Sequence, residues 1–282
     1  TLSSESRYIT VPDAQGGYAP VMPGATQENS SQRFGVTATS DCPRGYLADM
    51  LLIVEGAGVV DTVRFVLPVG DPGSSDPLGP DAYGYFGFDN TDTGYPEAPT
   101  YQWVEIAPAA GGSGTQVTLG DSGEYQDKST TVTLPFPFRY YGEQYTTATI
   151  CSNGWIQMGS TYLTQYRNWQ LPSPGGPDGA IAVFWDDLYE TNSPAGHVYQ
   201  LFDAANHRWI VEWYNMRNAS GYSTRETFQA IFYDPAYHPT ETGDGIIVYQ
   251  YGNVTNNDSG DGYCTVGIEK PDNTDGLTYT YF

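Results

Sequence analysis

Thr131-Val-Thr-Leu-Pro-Phe-Pro-Phe138 opens the stretch of sequence that decides the fold, residues 131–188. Thr147-Ala-Thr-Ile-Cys151 follows and leads into the turn Ser152-Asn153-Gly154, and the stretch closes with Ala180-Ile-Ala-Val-Phe-Trp-Asp-Asp-Leu188. Short β-branched and aromatic runs, separated by Asn-Gly, Pro and Gly, are typical of antiparallel strands joined by hairpin turns. No window here keeps a helical period, so we predict an all-β fold.

The same pattern continues on both sides of this stretch. Upstream, residues 101–106 and 115–119 are predicted as strands. Downstream, further apolar runs are separated by turn residues, at 197–202, 207–214, 226–233, 245–251, 263–269 and 277–281. Regularly spaced short strands favour a sandwich. We therefore predict a larger, jelly-roll-like antiparallel β-sandwich over residues 101–282.

Several short motifs in this region resemble one recurrent bacterial module. They are Leu134-Pro-Phe136, Tyr141-Gly142, Ser152-Asn-Gly-Trp155, Ala180-Ile-Ala182, Trp185-Asp-Asp-Leu188, Phe228-Gln229 and Thr265-Val-Gly-Ile-Glu269. The module is a nidogen-like β-sandwich found beside the catalytic domains of secreted gingipain-type and subtilisin-type peptidases, and in large surface proteins. The resemblance extends from about Asp81 onward. It implies an extracellular, non-catalytic accessory domain of a bacterial secreted or cell-surface protein.

Residues 1–70 resemble the later part of an immunoglobulin-like domain of the kind that precedes this module. About five strands are predicted there, at 7–11, 18–22, 33–39, 47–55 and 61–69. An immunoglobulin-like sandwich needs about seven strands, and a truncated one would expose core side chains and strand edges. An upstream fragment or a neighbouring copy could donate the missing strand, building a fibre or larger complex. The alternatives are a domain that is simply small, or one with more strands than this count finds.

Residues 71–100 are predicted to form an acidic linker rich in Gly and Pro. Four side chains in this segment could supply hard oxygen ligands to Ca²⁺: Asp81, Asp89, Asn90 and Asp92. The alternative is a loop of Asx turns with solvated carboxylates. Asp186 and Asp187 are a second candidate for a cation site, although they could equally cap the end of their strand.

The charge balance excludes several classes of partner. The chain has 282 residues with 33 acidic and 11 basic side chains, a formal net charge of −22. Such a surface repels nucleic acid and anionic lipid. No apolar run is long enough to cross a membrane, so we expect no membrane insertion. Neither an initiator Met nor a signal peptide is present, which indicates a processed or excised chain.

The chain contains three cysteines, Cys42, Cys151 and Cys264. Cys151 and Cys264 each lie beside a motif of the resembled module, and the exported context that it implies favours a disulfide between them. The alternative is a pair of buried thiols. Cys42 is left over, either as a free thiol or with a partner outside this chain.

The sequence offers no convincing catalytic constellation. Gly120-Asp121-Ser122-Gly123 matches the surroundings of the nucleophile in chymotrypsin-type proteases, but every histidine follows it in the chain, which reverses the family's order. We interpret it as a turn. A glycoside hydrolase needs two carboxylates about 5–9 Å apart. The strand-end candidates are Asp186, Asp187, Glu212 and Glu226, but with 33 acidic residues chance proximity is expected. We predict no enzyme activity.

A carbohydrate-binding or adhesion module is the main alternative function. Aromatic residues make up 15% of the chain, and several lie in or near predicted loops. Trp169, Tyr166 and Tyr189 are the candidates for stacking on glycans, with Tyr162 and Tyr222 nearby. The competing interpretation is that tyrosines cover the outer faces of strands.

Overall fold

The computed structural model describes residues 1–123, 125–219, 224–255 and 264–281. Within these ranges 45% of the residues lie in strands and 1% are helical, and all strand pairs are antiparallel. The predicted all-β class is therefore confirmed. None of the described helical residues forms a segment that is long and apolar enough to span a bilayer. Tyr222 and Tyr263, which carried predictions, lie outside the described ranges.

The chain divides into two compact units. Unit 1 comprises Thr1–Pro80 and Phe86–Ala98, and unit 2 comprises Asp81–Tyr85 and Pro99–Phe282. The segment 71–100, predicted as a linker, is thus divided between the two units. Inside unit 1 it contains an isolated antiparallel bridge between Leu78 and Gly87.

Unit 1 contains two small sheets. Its strands are β1 (Leu2–Ser4), β2 (Ile9–Asp13), β3 (Gly35–Ala38), β4 (Tyr46–Gly56) and β5 (Val59–Val69). One sheet has the order β1-β4-β5, and β2 pairs with β3 in the other. The buried core is small and consists of Leu2, Ile9, Ala48 and Met50. The predicted strand at 18–22 is absent from the described structure, since Pro20 lacks the amide hydrogen that a ladder requires.

A two-residue turn joins β4 to β5. Ala57 and Gly58 both have positive φ, at 49° and 80°, which matches the twist of a tight antiparallel hairpin. The hairpin then pairs without a register shift from Gly56 opposite Val59 to Tyr46 opposite Val69.

Unit 2 is a sandwich of two antiparallel sheets. Its strands are β6 (Thr115–Gln116), β7 (Ser129–Tyr140), β8 (Glu143–Cys151), β9 (Trp155–Met158), β10 (Ala180–Trp185), β11 (Leu188–Tyr189), β12 (Thr191–Asn192), β13 (Ala195–Asp203), β14 (Arg208–Asn218), β15 (Arg225–Tyr233), β16 (Ile247–Asn253), β17 (Thr265–Glu269) and β18 (Gly276–Tyr281). The first sheet has the order β18-β17-β10-β9-β8-β7. The second has the order β12-β13-β14-β15-β16, with β6 beside β13 and β11 beside β14.

The main core lies between these sheets because strands of both contribute their alternate side chains to it. On β14, Trp209, Val211 and Trp213 join the core cluster that also holds Phe138 and Ile156 of the first sheet. Ile210 packs in a separate cluster on the other side of β14. Period-two alternation produces this separation of the two faces.

Three polar side chains form a row across the outer face of the second sheet. Glu212, Gln229 and Gln250 lie on β14, β15 and β16, where Glu212 pairs with Gln229 and Gln229 with Gln250. None is more than 5% exposed. Nε2 of Gln250 donates to Oε1 of Gln229 at 3.2 Å. We call these three residues the polar row.

The polar row holds the segment 101–106, which the sequence predicts as a strand. Backbone groups of Gln102, Val104 and Ile106 bond to the row at distances between 2.7 and 3.1 Å. Every second residue faces the row, as in an extended chain. The segment is not a strand, however, because its hydrogen-bond partners are side chains and not the backbone of a neighbouring strand.

The turn Ser152-Asn153-Gly154 connects β8 to β9 and also anchors the end of β10. The Gly154 carbonyl accepts the amides of Val183 and Phe184, both at 3.1 Å, and the Asn153 carbonyl accepts the amide of Asp186 at 3.2 Å. Gly154 has a φ of 75°, and a Cβ at this position would lie 1.9 Å from the Phe184 carbonyl oxygen. Only glycine fits this approach of two backbones.

Gly154→Ala is therefore expected to lower the free energy of unfolding of unit 2 by about 3 kcal/mol, from strain at positive φ plus the displaced β10 backbone. The measurement is urea denaturation followed by tryptophan fluorescence, which reports on unit 2 alone because all six tryptophans lie in it. Gly120→Ala is the matched control, since Gly120 has a φ of 79° and a Cβ added there would meet nothing within 4 Å. It should cost only about 1 kcal/mol. Equal losses in the two variants would contradict the steric argument.

Candidate functional site

One face of the β4–β5 hairpin is apolar except for Asp61, which lies opposite Val54, and it is covered only at one end. Register places Met50 opposite Phe65 and Leu52 opposite Val63, so these side chains share a face. Met50 is buried, whereas Phe65 is 40% exposed, Val63 44% and Val59 65%. We call Val54, Val59, Val63 and Phe65, the exposed apolar residues of this face, the open face. Because these exposed apolar side chains continue the core stripe, the open face is a candidate interaction surface.

The outer edge of β5 is also open. β5 ends the order β1-β4-β5, so within the described residues no strand pairs with its far side. The nine residues from Val59 to Leu67 contain no proline, and Asp61 and Arg64 are their only charges. Proteins commonly protect edge strands with proline, lysine, bulges or short length. β5 has eleven residues and no register shift, so little prevents another strand from adding to it.

Unit 2 presents a second candidate surface on the loop between β9 and β10, residues 159–179. The loop has no strand or helix, yet buried groups fix it at several points. The indole N–H groups of Trp155 and Trp185 both donate to the Gln165 carbonyl, at 2.9 and 3.0 Å. Nε2 of Gln165 donates to the Gly175 carbonyl at 3.1 Å, across the loop. Nδ2 of Asn153 donates to the Thr164 carbonyl at 3.3 Å.

This loop encloses a shallow cleft of about 340 Å³. The lining residues are Asp127, Leu163, Thr164, Gln165, Tyr166, Gly175 and Gly176. Tyr166 is 49% exposed and Leu163 47%, while Tyr162 of the same loop is fully exposed. The lining thus combines one leucine and one tyrosine with three polar side chains and two glycines.

The structure brings together only part of the predicted aromatic set. Tyr166 lines the cleft. Trp169 does not, but it is 39% exposed and its ring covers Gly175, where a Cβ would lie 2.5 Å from the indole. The Arg167 guanidinium lies 5.7 Å from the centre of the Trp169 ring. Tyr189 is outside the cleft lining, on β11, where it pairs with β14 of the second sheet.

The candidate catalytic carboxylates accept hydrogen bonds inside the fold. Oε2 of Glu212 accepts the Ile106 amide at 3.1 Å, and Oε2 of Glu226 accepts the Thr255 amide at 2.6 Å. Asp186 accepts Nδ2 of Asn218 through Oδ2 and the Asp187 amide through Oδ1, both at 2.7 Å. Glu212, Glu226 and Asp186 are at most 3% exposed, and none of the four candidates lines the cleft.

The predicted calcium ligands accept hydrogen bonds from nearby turns. Oδ1 of Asp81 accepts the amides of Gly84 and Tyr85 at 2.7 and 2.8 Å. Oδ2 of Asp92 accepts the Asp89 amide at 2.8 Å, and Asn90 is exposed. In the described part of the chain, no three His, Cys, Asp or Glu side chains group as a metal site would require. These bonds fit the Asx-turn interpretation, and calcium binding stays a prediction.

The structure contains no disulfide between Cys151 and Cys264, both of which lie in the described residues. Cys151 packs with Trp155 and Trp185 on one side of the first sheet, whereas Cys264 belongs to the main core on the other. Cys264 adjoins β17, which lies three strands from β8, a span of about 14 Å. Bridged cysteines have Cα atoms about 4.4–6.8 Å apart, so the predicted pairing is wrong. Cys42 is buried in unit 1, and its external partner stays a prediction.

Burial raises the pKa of several acidic side chains in unit 2. The pKa of Glu212 is raised to about 8, chiefly by burial and then by the nearby charge of Glu105. Burial likewise raises the pKa of Glu190 and of Glu269 to about 7, and that of Asp121 to about 6. Each folded carboxyl therefore holds its proton at a pH where the unfolded chain releases it.

The free energy of unfolding of unit 2 should consequently be largest below about pH 5 and fall as the pH rises towards 8, because the unfolded state binds fewer protons over that window. Glu212→Gln removes one ionisation and keeps an oxygen that can accept the Ile106 amide. We expect Glu212→Gln to be more stable than the wild type by at least about 2 kcal/mol at pH 9 and nearly equal at pH 5. Urea titrations monitored by tryptophan fluorescence measure this difference. Glu143→Gln, at an exposed site on β8, should change neither value, and a pH-independent effect of Glu212→Gln would contradict the assignment.

Comparison with known proteins adds one match. A family model described as NIDO related matches residues 97–281, about two thirds of the chain. The matched region includes the Ser152–Gly154 turn, the β9–β10 loop and the polar row. Neither a search of curated proteins nor a search of solved structures found a match.

Proposed function

Because the chain belongs to the NIDO-related family, we propose that it is a non-catalytic structural module of a bacterial secreted or cell-surface protein. In this proposal neighbouring copies of the chain join into a fibre or larger complex by adding a β-strand along β5. The observation that carries the proposal is the coincidence of the open face and the free edge on one strand of unit 1.

Strand addition would use both features at once. Backbone groups along the edge of β5 would complete their hydrogen bonds with the incoming strand, which supplies affinity and fixes direction. Apolar side chains on the same side of that strand would pack beside Val59, Val63 and Phe65 and bury part of the open face, where burial contributes about 25 cal/mol for each Å² removed from water. The added strand would extend the small core of unit 1 sideways from β5, next to the apolar side chains that continue this core along the hairpin.

Two further features support a structural rather than a catalytic role outside the cell. The buried carboxyl groups of Asp186, Glu212 and Glu226 each accept at least one hydrogen bond from the protein itself, which suits a scaffold. A formal net charge of −22 keeps a secreted chain soluble and limits unspecific association, so that a specific apolar edge decides where copies meet.

Association is tested by placing charges on the open face. Val59→Lys combined with Val63→Lys should weaken self-association at least tenfold, because two charges would replace the apolar side chains against which the added strand packs. Light scattering coupled to size exclusion, over a hundredfold range of protein concentration, measures the particle mass of the wild type and the variant. The wild type should grow in mass with concentration.

Val60→Lys combined with Val66→Lys is the matched control, with the same number of lysines on the same strand but on its opposite face. Both residues are at least half exposed, so folding should persist, which circular dichroism verifies. The control should associate more strongly than the open-face variant. A wild type that stays monomeric at every concentration, or equal effects of the two double variants, would contradict the proposal.

A further inference from the structure

The β9–β10 loop is preorganised although it is long. Besides the contacts of Gln165, its residues are tied to β17 and β18. Oγ1 of Thr265 donates to the Trp169 carbonyl at 2.8 Å, and the Leu171 amide donates to Oγ1 of Thr278 at 3.1 Å. Further along, the Ser173 amide donates to Oε2 of Glu269 at 2.8 Å. Structureless loops of this length are uncommon in compact domains and usually carry function.

The fixed loop buries Leu171 but leaves four other large apolar side chains in water. Tyr162, Leu163, Tyr166 and Trp169 are between 39% and fully exposed, although buried tryptophans hold the backbone beneath them. A flexible loop would bury such side chains by folding back, whereas this backbone cannot. The ordering cost of presenting an aromatic surface has thus been met before any ligand arrives, which favours binding.

The polar groups of the cleft indicate the chemistry of its ligand. Among the described lining residues, Asp127 contributes the only charged side chain, and Gln165 and Thr164 are the polar neutral ones. Oδ1 of Asp127 accepts Nδ2 of Asn153 at 2.9 Å, which fixes the carboxylate at the cleft wall. A carboxylate accepts hydrogen bonds from hydroxyl groups and repels anions. A ligand with hydroxyl donors, an apolar face and no negative charge matches this wall and the Tyr166 ring.

We propose that the cleft of the β9–β10 loop binds a neutral oligosaccharide. The apolar face of a sugar ring stacks on Tyr166, and sugar hydroxyls donate to the Asp127 carboxylate. Tyr162 and Trp169, on the same loop, extend the aromatic surface beyond the cleft. The lining formed by the described residues has no basic side chain, and Arg167 lies outside it, 5.7 Å from the centre of the Trp169 ring. The carboxylate of Asp127 in the cleft and the net charge of −22 direct the preference of the cleft away from acidic polysaccharides.

The test begins with an array of neutral and acidic oligosaccharides probed with the whole chain, followed by calorimetric titration of the neutral hexasaccharide that binds most strongly. Tyr166→Ala should weaken this binding at least tenfold, and Asp127→Asn should weaken it at least threefold while keeping an oxygen for the Asn153 bond. Tyr279→Ala, at a 58% exposed tyrosine on β18, is the matched control and should stay within twofold of the wild type.

Three outcomes would overturn the inference: no binding of any neutral oligosaccharide at millimolar concentration, binding that Tyr166→Ala leaves unchanged, or tighter binding of acidic than of neutral sugars. Phosphatidylcholine vesicles form a further arm, since exposed aromatics also enter lipid interfaces. If the chain binds vesicles but no sugar, and Tyr162→Ala abolishes the vesicle binding, the ligand of this loop is a lipid surface and the sugar proposal is wrong. The Val59→Lys and Val63→Lys double variant should bind sugar normally, which separates this inference from the proposed assembly.

Discussion

The rest of unit 2 depends on the hydrogen bonds made by the side chain of Asn153. It is completely buried, and a buried amide is costly unless its donors and acceptor are satisfied. Its Oδ1 accepts the Leu188 amide at 2.9 Å, which positions the end of β10 and the start of β11. Its Nδ2 donates to Asp127 and to the Thr164 carbonyl, which are two walls of the cleft. One residue therefore links the turn of the first sheet to the candidate binding loop.

This arrangement gives a physical reason for the motifs that the sequence displays. Ser152-Asn-Gly-Trp155 and Trp185-Asp-Asp-Leu188 are far apart in the chain but meet at one place. Gly154 permits the close approach, Asn153 caps the Leu188 backbone, and the two tryptophans share one carbonyl acceptor. These motifs act structurally, and the loop that they support is the part of unit 2 for which we propose ligand binding.

Much of the fold could be predicted from the sequence because strand periodicity and turn chemistry are local properties. The runs around β7 to β10 and β13 to β18 were identified within a few residues. The segment 101–106 has the residue pattern of a strand, but its hydrogen-bond partners are the side chains of the polar row. No local pattern in the sequence shows that side chains take the place of a neighbouring strand's backbone. The buried glutamines on β15 and β16 were the available signal, since apolar neighbours flank each of them.

The predictions about sites depended on which strands are neighbours and which faces of the sheets meet. Such long-range arrangements are harder to predict from the sequence than the strands themselves. Cys151 and Cys264 both lie in or beside strands of one sheet. Whether they can form a disulfide depends on the order of the strands and on the face to which each side chain points, and sequence spacing predicts neither. Tyr166 was found because it is an aromatic residue in a loop, whereas Tyr189 has the same residue type and sits on a strand of the other sheet. The free edge of β5 was expected only in outline, from a strand count that was too small for a complete sandwich.

The buried carboxyl groups also change how the electrostatics of this chain should be understood. A formal net charge of −22 treats every acidic side chain as ionised. Burial raises the pKa of Glu212 to about 8 and that of Glu190 and of Glu269 to about 7, so the folded protein carries less negative charge near neutral pH than this count. Folding of unit 2 is thus accompanied by proton uptake from the solvent, and the native molecule should migrate more slowly in electrophoresis than its sequence alone implies.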